Sequence, residues 1–325
     1  QMSKKEKVLI TGGAGFIGSH LAEELLRAGH DVTALDNLST GRLENVSHLE
    51  SNPNFHLVVG DILNEALVDK LVERADWVFH LAAAVGVELI VKDPIGVLTT
   101  NVKGSEVVIE AAYRYRRKIL VASTSEIYGK NSKGPLKEDD DRILGSTTKS
   151  RWSYSTSKAV DEILAYTYWK EKKLPAIIVR LFNTVGPRQT GHYGMVIPRF
   201  VEQALKGKDI TVYGSGEQTR CFGYVGDIVK ALAKLMNCPE AVGQVFNLGG
   251  QEEVSIRALA ERVIKMTGSS SKIVYIPYDQ AYEEGFEDMQ RRVPDTTKAN
   301  RVIGFKTTVG LDGILKMVVE EFREK

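Results

Sequence analysis

Cysteine is scarce in this chain, charge of either sign cancels, and no apolar run is long. The two cysteines, Cys221 and Cys238, are too few for a disulfide framework and lack metal-site spacing, which favours a reducing compartment. Lys and Arg total 43 against 42 for Asp and Glu, so no net field attracts nucleic acid or acidic lipid. The longest greasy stretch, Trp77 to Val91, is broken by His80 and Glu88 and falls short of the ~20 residues that a spanning helix needs. The six histidines are scattered, no metal site is expected, and His80 in VFHLAA reads as a core or strand-end residue. No internal repeat or low-complexity tract is evident. Gln1 ahead of Met2 reads as a cloning remnant, and no leader-like apolar core follows Gln1 to Lys7, so a soluble cytoplasmic protein is expected.

What is present is a Gly-rich turn in the right setting. Lys7 to Thr11 (KVLIT) reads as a buried strand, Gly12, Gly13, Gly15 and Gly18 follow as TGGAGFIG, and a helix is predicted from Phe16 to Ala28, stopped by Gly29. Such a strand, turn and helix leaves backbone N–H groups free at a helix N-terminus, where a pyrophosphate can sit without a basic side chain. The second strand, Asp31 to Leu35, ends at Asp36, about 20 residues beyond the glycines, where a carboxylate can accept hydrogen bonds from a ribose. It would repel a ribose phosphate, so NAD is favoured over NADP.

Strand-like and helix-like segments alternate through the first half, the pattern of an α/β fold with a doubly wound parallel sheet. Further strands are predicted at Phe55 to Val59, Trp77 to Leu81, Ile119 to Ala122 and Ala176 to Leu181. Ala82, Ala83 and Ala84 follow the fourth strand, and such small residues let a cofactor lie against the backbone or a helix pack closely. Asp93-Pro94 reads as the start of a helix that contains Asn101 and runs to about Tyr115. Pro135 to Lys149 reads as an exposed polar loop, and a long helix is predicted from about Ser153 to Lys172. From Phe182 onward the alternation gives way to Gly, Pro and aromatic punctuation, which marks a smaller lobe. Helix and strand at Tyr224 to Met236 and Gln244 to Leu248 read as returning to the main sheet. The expected division is 1–181 plus about 222–250 for the dinucleotide lobe, and about 182–221 plus 251–325 for the substrate lobe.

Tyr154 and Lys158 form a YxxxK pair on one helix face. A phenol titrates near ~10, and each unit by which it is lowered requires ~1.4 kcal/mol of phenolate stabilisation. A nearby ammonium supplies part of that and an oxidised nicotinamide more, so the phenolate could take a proton from a sugar hydroxyl. Thr124, at the end of a parallel strand, would hydrogen-bond the same oxygen. Tyr166 with Lys170 and Tyr168 with Lys172 share the spacing, so spacing alone selects nothing. Tyr154 is selected by its place at the start of the helix after Ser123-Thr124, and the other pairs read as surface or interface residues.

TGGAGFIGSH, LDNLSTG, GDI, HLAA, the Ser-Thr before YG, YxxxK, LFNTVGPR, TVYGSGEQTR and RRVPD occur here in one order. Over essentially its whole length the chain thereby resembles the extended short-chain dehydrogenase/reductases that act on nucleotide sugars. The resemblance implies a Rossmann-type sheet with a smaller C-terminal α/β lobe that binds a UDP-sugar, tightly held NAD, and a homodimer built through two long helices. It implies cofactor contacts at Gly12, Gly15, Phe16, Ile17, Gly18, Asp36, Asn37, Asp61, Ile62, Leu81, Ala82, Ala83, Asn101, Ser123 and Lys158. Substrate contacts follow at Asn183, at Val196, Pro198, Phe200, Thr211 and Tyr213 around the uracil, and at Arg220 and Arg292 on the diphosphate. Cys221 and Gly226 depart from the family, which commonly has Asp at both positions.

The reaction class turns on Ser125 and Glu126, which with Thr124, Tyr154 and Lys158 complete the expected catalytic set. A ketone at sugar C4 acidifies C5 and makes a C6 carboxylate a β-keto acid, so epimerisation, decarboxylation and dehydration are all open. The family's 4,6-dehydratases carry Asp-Glu where this chain has Ser-Glu, and serine is a poor proton donor to a departing hydroxide. Ser-Glu before IYG, SRWSYSTSK and FEDMQRRVP resemble the UDP-glucuronate decarboxylases, and also the tunicamycin-pathway UDP-N-acetylglucosamine 5,6-dehydratase. Decarboxylation of UDP-glucuronate is the leading expectation. A UDP-sugar 4-epimerase and a UDP-N-acetylglucosamine dehydratase are the alternatives, and a non-catalytic dinucleotide sensor the remote one.

Overall fold

A computed structural model describes residues 4–83, 87–192, 194–282 and 286–325. Short β-branched runs alternate with amphipathic segments in the order β1 (Lys7–Thr11), α1 (Phe16–Arg27), β2 (Asp31–Asp36), β3 (Phe55–Val59), α2 (Glu65–Glu73) and β4 (Trp77–His80). There follow α3 (Val87–Lys92), α4 (Pro94–Leu98), α5 (Gly104–Arg114), β5 (Lys118–Thr124), α6 (Arg151–Lys172) and β6 (Ala176–Phe182). Next come β7 (Thr184–Val185), α7 (Val196–Leu205), β8 (Ile210–Tyr213), β9 (Thr219–Cys221), β10 (Gly223–Tyr224), α8 (Val225–Met236) and β11 (Val245–Gly249). The chain closes with β12 (Glu253–Ser255), α9 (Ile256–Thr267), β13 (Ile273–Ile276), α10 (Tyr278–Ala281), β14 (Arg291–Arg292), α11 (Thr297–Ile303) and α12 (Leu311–Glu324).

Seven strands form one parallel sheet in the order β11-β6-β5-β4-β1-β2-β3. This is the Rossmann-type doubly wound arrangement that the alternation predicts, with β11 as the returning strand beside β6. One face is covered by α1 and α8, whose Leu21, Leu25, Ile228 and Leu232 are fully buried, and the other by α2, α5 and α6. A third apolar core, around Ile197, Phe200, Leu259 and Ile314, unites α7, α9 and α12. The strand order reverses between β1 and β4, so the crevice above their C-terminal ends is where ligands of such sheets bind.

Element ends differ from the sequence reading by a residue or two. β5 extends through Ser123 and Thr124, because both residues keep their register with β6. The helix begun at Asp93, whose carboxylate accepts the Gly96 N–H at 3.0 Å, changes to a π-helical turn at Thr99–Lys103 before α5. The loop at 135–149 is not simply exposed: Leu136 is buried and its N–H donates to the Val293 carbonyl at 2.8 Å. Ala84 lies outside the described residues. Among those residues, no helix is long and apolar enough to cross a membrane.

A buried polar chain ties β1, β4 and α5 together beneath that crevice. His80 Nδ1 bonds the Thr11 hydroxyl at 2.7 Å and Nε2 the Ser105 hydroxyl at 2.8 Å. Burial, aided by the Lys158 charge, pushes the imidazole down to about 3 from 6.5, so the folded protein resists a proton that the unfolded chain accepts. A histidine of depressed pKa costs stability as pH falls through the unfolded value, by about 2 kcal/mol between pH 7 and pH 5. Urea unfolding at those two pH values should therefore show a smaller loss, by about that amount, in His80→Asn than in the parent chain. An equal loss in both would mean that His80 is not held neutral.

Candidate active site

Backbone geometry sets one end of the site. The turn after β1 passes through Gly12 at φ 73°, a left-handed conformation that glycine adopts without strain. A Cβ on Gly18 would lie 2.1 Å from the Gly12 carbonyl oxygen, so only glycine lets α1 begin so close to the turn. Gly15 stands at the N-cap with no side-chain cap, which leaves the first N–H groups of α1 available. Asp36 closes the turn, for its carboxylate accepts the Ala14 N–H at 3.0 Å and the Leu38 N–H at 2.8 Å. Burial pushes its pKa up, against those two bonds.

A cavity of about 630 Å³ runs from this turn to the C-terminal lobe, within the range of small-molecule sites. Of the sequence-predicted cofactor residues, Gly12, Gly15, Phe16, Ile17, Gly18, Asp36, Asn37, Ile62, Leu81, Ala82, Ala83 and Ser123 line it. Asp61, Asn101 and Lys158 do not. Asp61 turns its carboxylate to Leu63 N–H and Asn37. Asn101 is buried in the π-helical turn and donates to the Ser157 hydroxyl at 3.2 Å. Ser123 spends its hydroxyl on Glu162, at 2.5 Å. The residues fit a dinucleotide: free N–H groups and a Cβ-free approach suit its phosphates, and the Asp36 carboxylate rims the same cavity for a ribose.

Thr124, Ser125, Glu126 and Tyr154 share the middle of the cavity wall. The Thr124 hydroxyl lies near enough to the Tyr154 phenol to oppose the rise in its pKa and accepts the Glu126 N–H at 3.2 Å. The expected acidification of Tyr154 by Lys158 is not found. Burial, and after it the charges of Glu126 and Asp161, push the phenol up, while the Lys158 ammonium, 2 % exposed, pairs with Asp161 at 2.9 Å. The sequence reading overlooked Asp161, one turn beyond Lys158, whose carboxylate cancels much of the field that the ammonium would exert.

Beside them lies a knot of five buried or nearly buried charges drawn from both lobes. Glu126 Oε1 accepts from Arg292 Nη2 at 2.6 Å and from Arg151 Nη2 at 3.0 Å. Asp288 Oδ1 accepts from Arg151 at 3.2 Å and Arg220 at 3.3 Å, and its Oδ2 accepts the Tyr278 hydroxyl at 2.9 Å. Burial alone would push Glu126 up, yet Arg151 and Arg292 hold its carboxyl below the ordinary range. Arg220 is pushed down to about 10 by burial and by Arg292. Arg151, Tyr278 and Asp288 were missed from sequence, although Arg151 and Asp288 stand inside SRWSYSTSK and FEDMQRRVP.

The substrate-site expectations divide. Asn183, Val196, Tyr213, Arg220 and Arg292 line the cavity. Phe200 is fully buried in the C-terminal core, on the inward side of α7. Pro198 is likewise buried, and the Thr211 hydroxyl accepts from Gln203 at 2.9 Å; neither lines the cavity. Arg199, stacked over Tyr213 at 4.2 Å, and Tyr282 stand there instead. Cys221 is buried in β9 with its thiol pushed up to about 12 by burial, and a Cβ on Gly226 would meet the Tyr224 ring at 2.4 Å. Those two departures therefore sit in apolar or crowded surroundings.

Known proteins resemble this arrangement closely. The GDP-mannose 4,6 dehydratase family profile matches residues 9–318. A UDP-N-acetyl-alpha-D-glucosaminuronate decarboxylase of Bacillus cytotoxicus is 44% identical over 98% of each chain. UDP-glucuronic acid decarboxylase 1 of Xenopus tropicalis is 38% identical over 99% of this chain and 73% of that protein. The structure of UDP-glucuronic acid 4-epimerase from Bacillus cereus in complex with UDP-glucuronic acid and NAD superposes with a TM-score of 0.89, at 30% identity, over 98% of this chain and 99% of that one.

The contact at Gly18 yields a test of the turn. Gly18→Ala should weaken NAD binding by at least about tenfold, or 1.4 kcal/mol, read by titration of nicotinamide-dependent fluorescence quenching. Undiminished affinity would show that the helix start does not need its close approach.

Proposed function

This chain belongs to the GDP-mannose 4,6-dehydratase family of NAD-dependent nucleotide-sugar enzymes, and from that premise we propose that it decarboxylates a UDP-hexuronate. One observation carries the choice among the family's reactions: the only carboxyl group beside Thr124 and Tyr154 on the described wall, Glu126, is held ionised by two guanidiniums. With Ser125 next to it, this stretch offers no acid to a departing hydroxide, and loss of carbon dioxide needs none. Both decarboxylase relatives agree with that choice. UDP-glucuronate and its 2-acetamido analogue are the candidate substrates.

NAD, when bound, supplies the acceptor for the hydrogen at sugar C4. Tyr154 takes the hydroxyl proton at that carbon, and Thr124, beside it on the cavity wall, hydrogen-bonds the same oxygen. In the resulting β-keto acid the C5–C6 bonding pair moves into the C4 carbonyl, carbon dioxide departs, and a proton is then added at C5. The enolate oxygen formed in that step faces the Tyr154 and Thr124 hydroxyls, which is where stabilisation of developing charge is most effective. Lys158 acts from behind the wall on Tyr154, and Asn101 steadies α6 through Ser157. Glu126 keeps the arginines aligned. The uracil is assigned to Val196 and Tyr213 and the diphosphate to Arg220 and Arg292, where cations suit phosphate.

The reading includes the two-lobe division, 1–181 plus about 222–250 and about 182–221 plus 251–325, with the reaction at their junction. It also includes a homodimer. Ile95 (78 % exposed) and Leu98 on α4, with Val160, Ile163 (60 % exposed) and Tyr166 on α6, present apolar side chains to solvent, and α4 packs against α6. Such a patch favours a partner. A cytoplasmic location accords with two unpaired cysteines.

Mass analysis after incubation with UDP-glucuronate and with its 2-acetamido analogue should show loss of carbon dioxide from at least one. Loss of water instead, or unchanged mass with altered stereochemistry, would assign another reaction. Tyr154→Phe should lower turnover by at least about a thousandfold with NAD still bound, and full activity would mean a different base. Ile163→Glu should convert a dimer to a monomer in sedimentation velocity, and an unchanged sedimentation coefficient would exclude this face.

A further inference from the structure

Resting on the hexuronate reading above, we infer that Arg151 is the residue that recognises the sugar C6 carboxylate and so sets specificity for a hexuronate over a hexose. Arg151 is 1 % exposed, yet its Nε and Nη1 have no hydrogen-bond partner among the described residues. Only Nη2 is engaged, by Glu126 and Asp288. Two N–H donors so buried and unpaired are costly unless a ligand satisfies them, and the residue lines the cavity. Nη2 lies between these two donors on the planar group, so Nη1 offers a carboxylate a single charge-assisted bond beside the edge that Glu126 and Asp288 hold.

Position argues for the sugar and not the diphosphate. Arg151 precedes Tyr154 by three residues in α6, so the two share a helix face about one turn, or ~5.4 Å, apart. In a hexuronate, C6 is two bonds from C4, so a sugar whose C4 oxygen meets Tyr154 carries its carboxylate toward this guanidinium. The Phe286 ring, 5.7 Å from the guanidinium carbon, lines the same cavity. A hydroxymethyl group would leave the buried donors poorly matched, which is discrimination against the hexose.

Arg151→Gln is suited to the test because each acidic partner keeps another arginine, Arg292 for Glu126 and Arg220 for Asp288. Affinities of the NAD-loaded parent and variant for UDP-glucuronate, UDP-glucose and UDP would be measured by calorimetry. The parent should prefer UDP-glucuronate to UDP-glucose, and the variant should lose on the order of 100-fold for UDP-glucuronate while UDP and UDP-glucose stay within about threefold. Equal weakening of all three ligands would make Arg151 a diphosphate or structural residue and overturn the inference. So would an unchanged ratio, or a parent with no preference. Arg151→Lys, which keeps the charge but not the fixed planar group, should recover only part of the preference, and full recovery would overturn the part assigned to the guanidinium's geometry. Because binding ratios do not depend on turnover, a parent that prefers UDP-glucuronate but releases no carbon dioxide would sink the decarboxylase assignment and leave Arg151 standing.

Discussion

The ion pair network around Glu126 is the constraint on which this site depends. It joins a residue at the end of a sheet strand to Arg151 at the start of α6 and to Arg220, Asp288 and Arg292 from the C-terminal lobe. Buried charges are expensive to desolvate, and the arrangement is tolerable because each carboxylate meets two guanidiniums. Taking away a carboxylate would leave its arginines buried and uncompensated, a cost of about 3–5 kcal/mol, whereas loss of one guanidinium leaves each carboxylate another. The network thus ties the end of β5 and the start of α6 to the C-terminal segments on the same cavity wall.

The same network decides what chemistry the wall can perform. A glutamate alone in a buried cleft would be a strong candidate for a proton donor, because burial raises its pKa. Glu126 has the burial without that outcome, for two arginines outweigh it. The residue that sequence reading offers as an acid or base for C5 and C6 is therefore a fixed negative charge. In the proposed reaction it serves by holding Arg151 and Arg292 in place, and decarboxylation accommodates this because the leaving group departs without a proton.

Much of the fold was legible because its signals are local. The apolar run of β1, the glycines and the Gly29 stop specify a strand, turn and helix within some twenty residues, and strand and helix alternate again from β3 through β6. Thr124 and Tyr154 were legible because each sits at a recognisable element end. Arg151 and Asp288 were not, since their meaning comes from a contact across 137 positions, and an arginine before a tryptophan looks like an ordinary first-turn residue. Phe200 shows the converse limit: a motif gives the element beside the cavity, while the 3.6-residue period of α7 decides which of its side chains turn into the core instead.

Tyr154 poses the remaining question of how a buried phenol could act near neutrality. Lys158 is the obvious source of acidification, but Asp161 sits at 2.9 Å from its ammonium and His80, below them, is neutral at physiological pH. The pair as a whole carries no net charge, so its effect on the phenol is that of a dipole and falls off faster than a charge. What this pair can do is remain ordered: a lysine tethered on its own helix cannot swing into the cavity, and its position beneath Tyr154 is set before any ligand arrives. The phenol in this environment is a proton donor first, suited to a ketone or enolate oxygen at C4. In the proposed reaction it would become a base only when positive charge is added on the cavity side, which would tie proton removal from the sugar to occupation of the dinucleotide cleft.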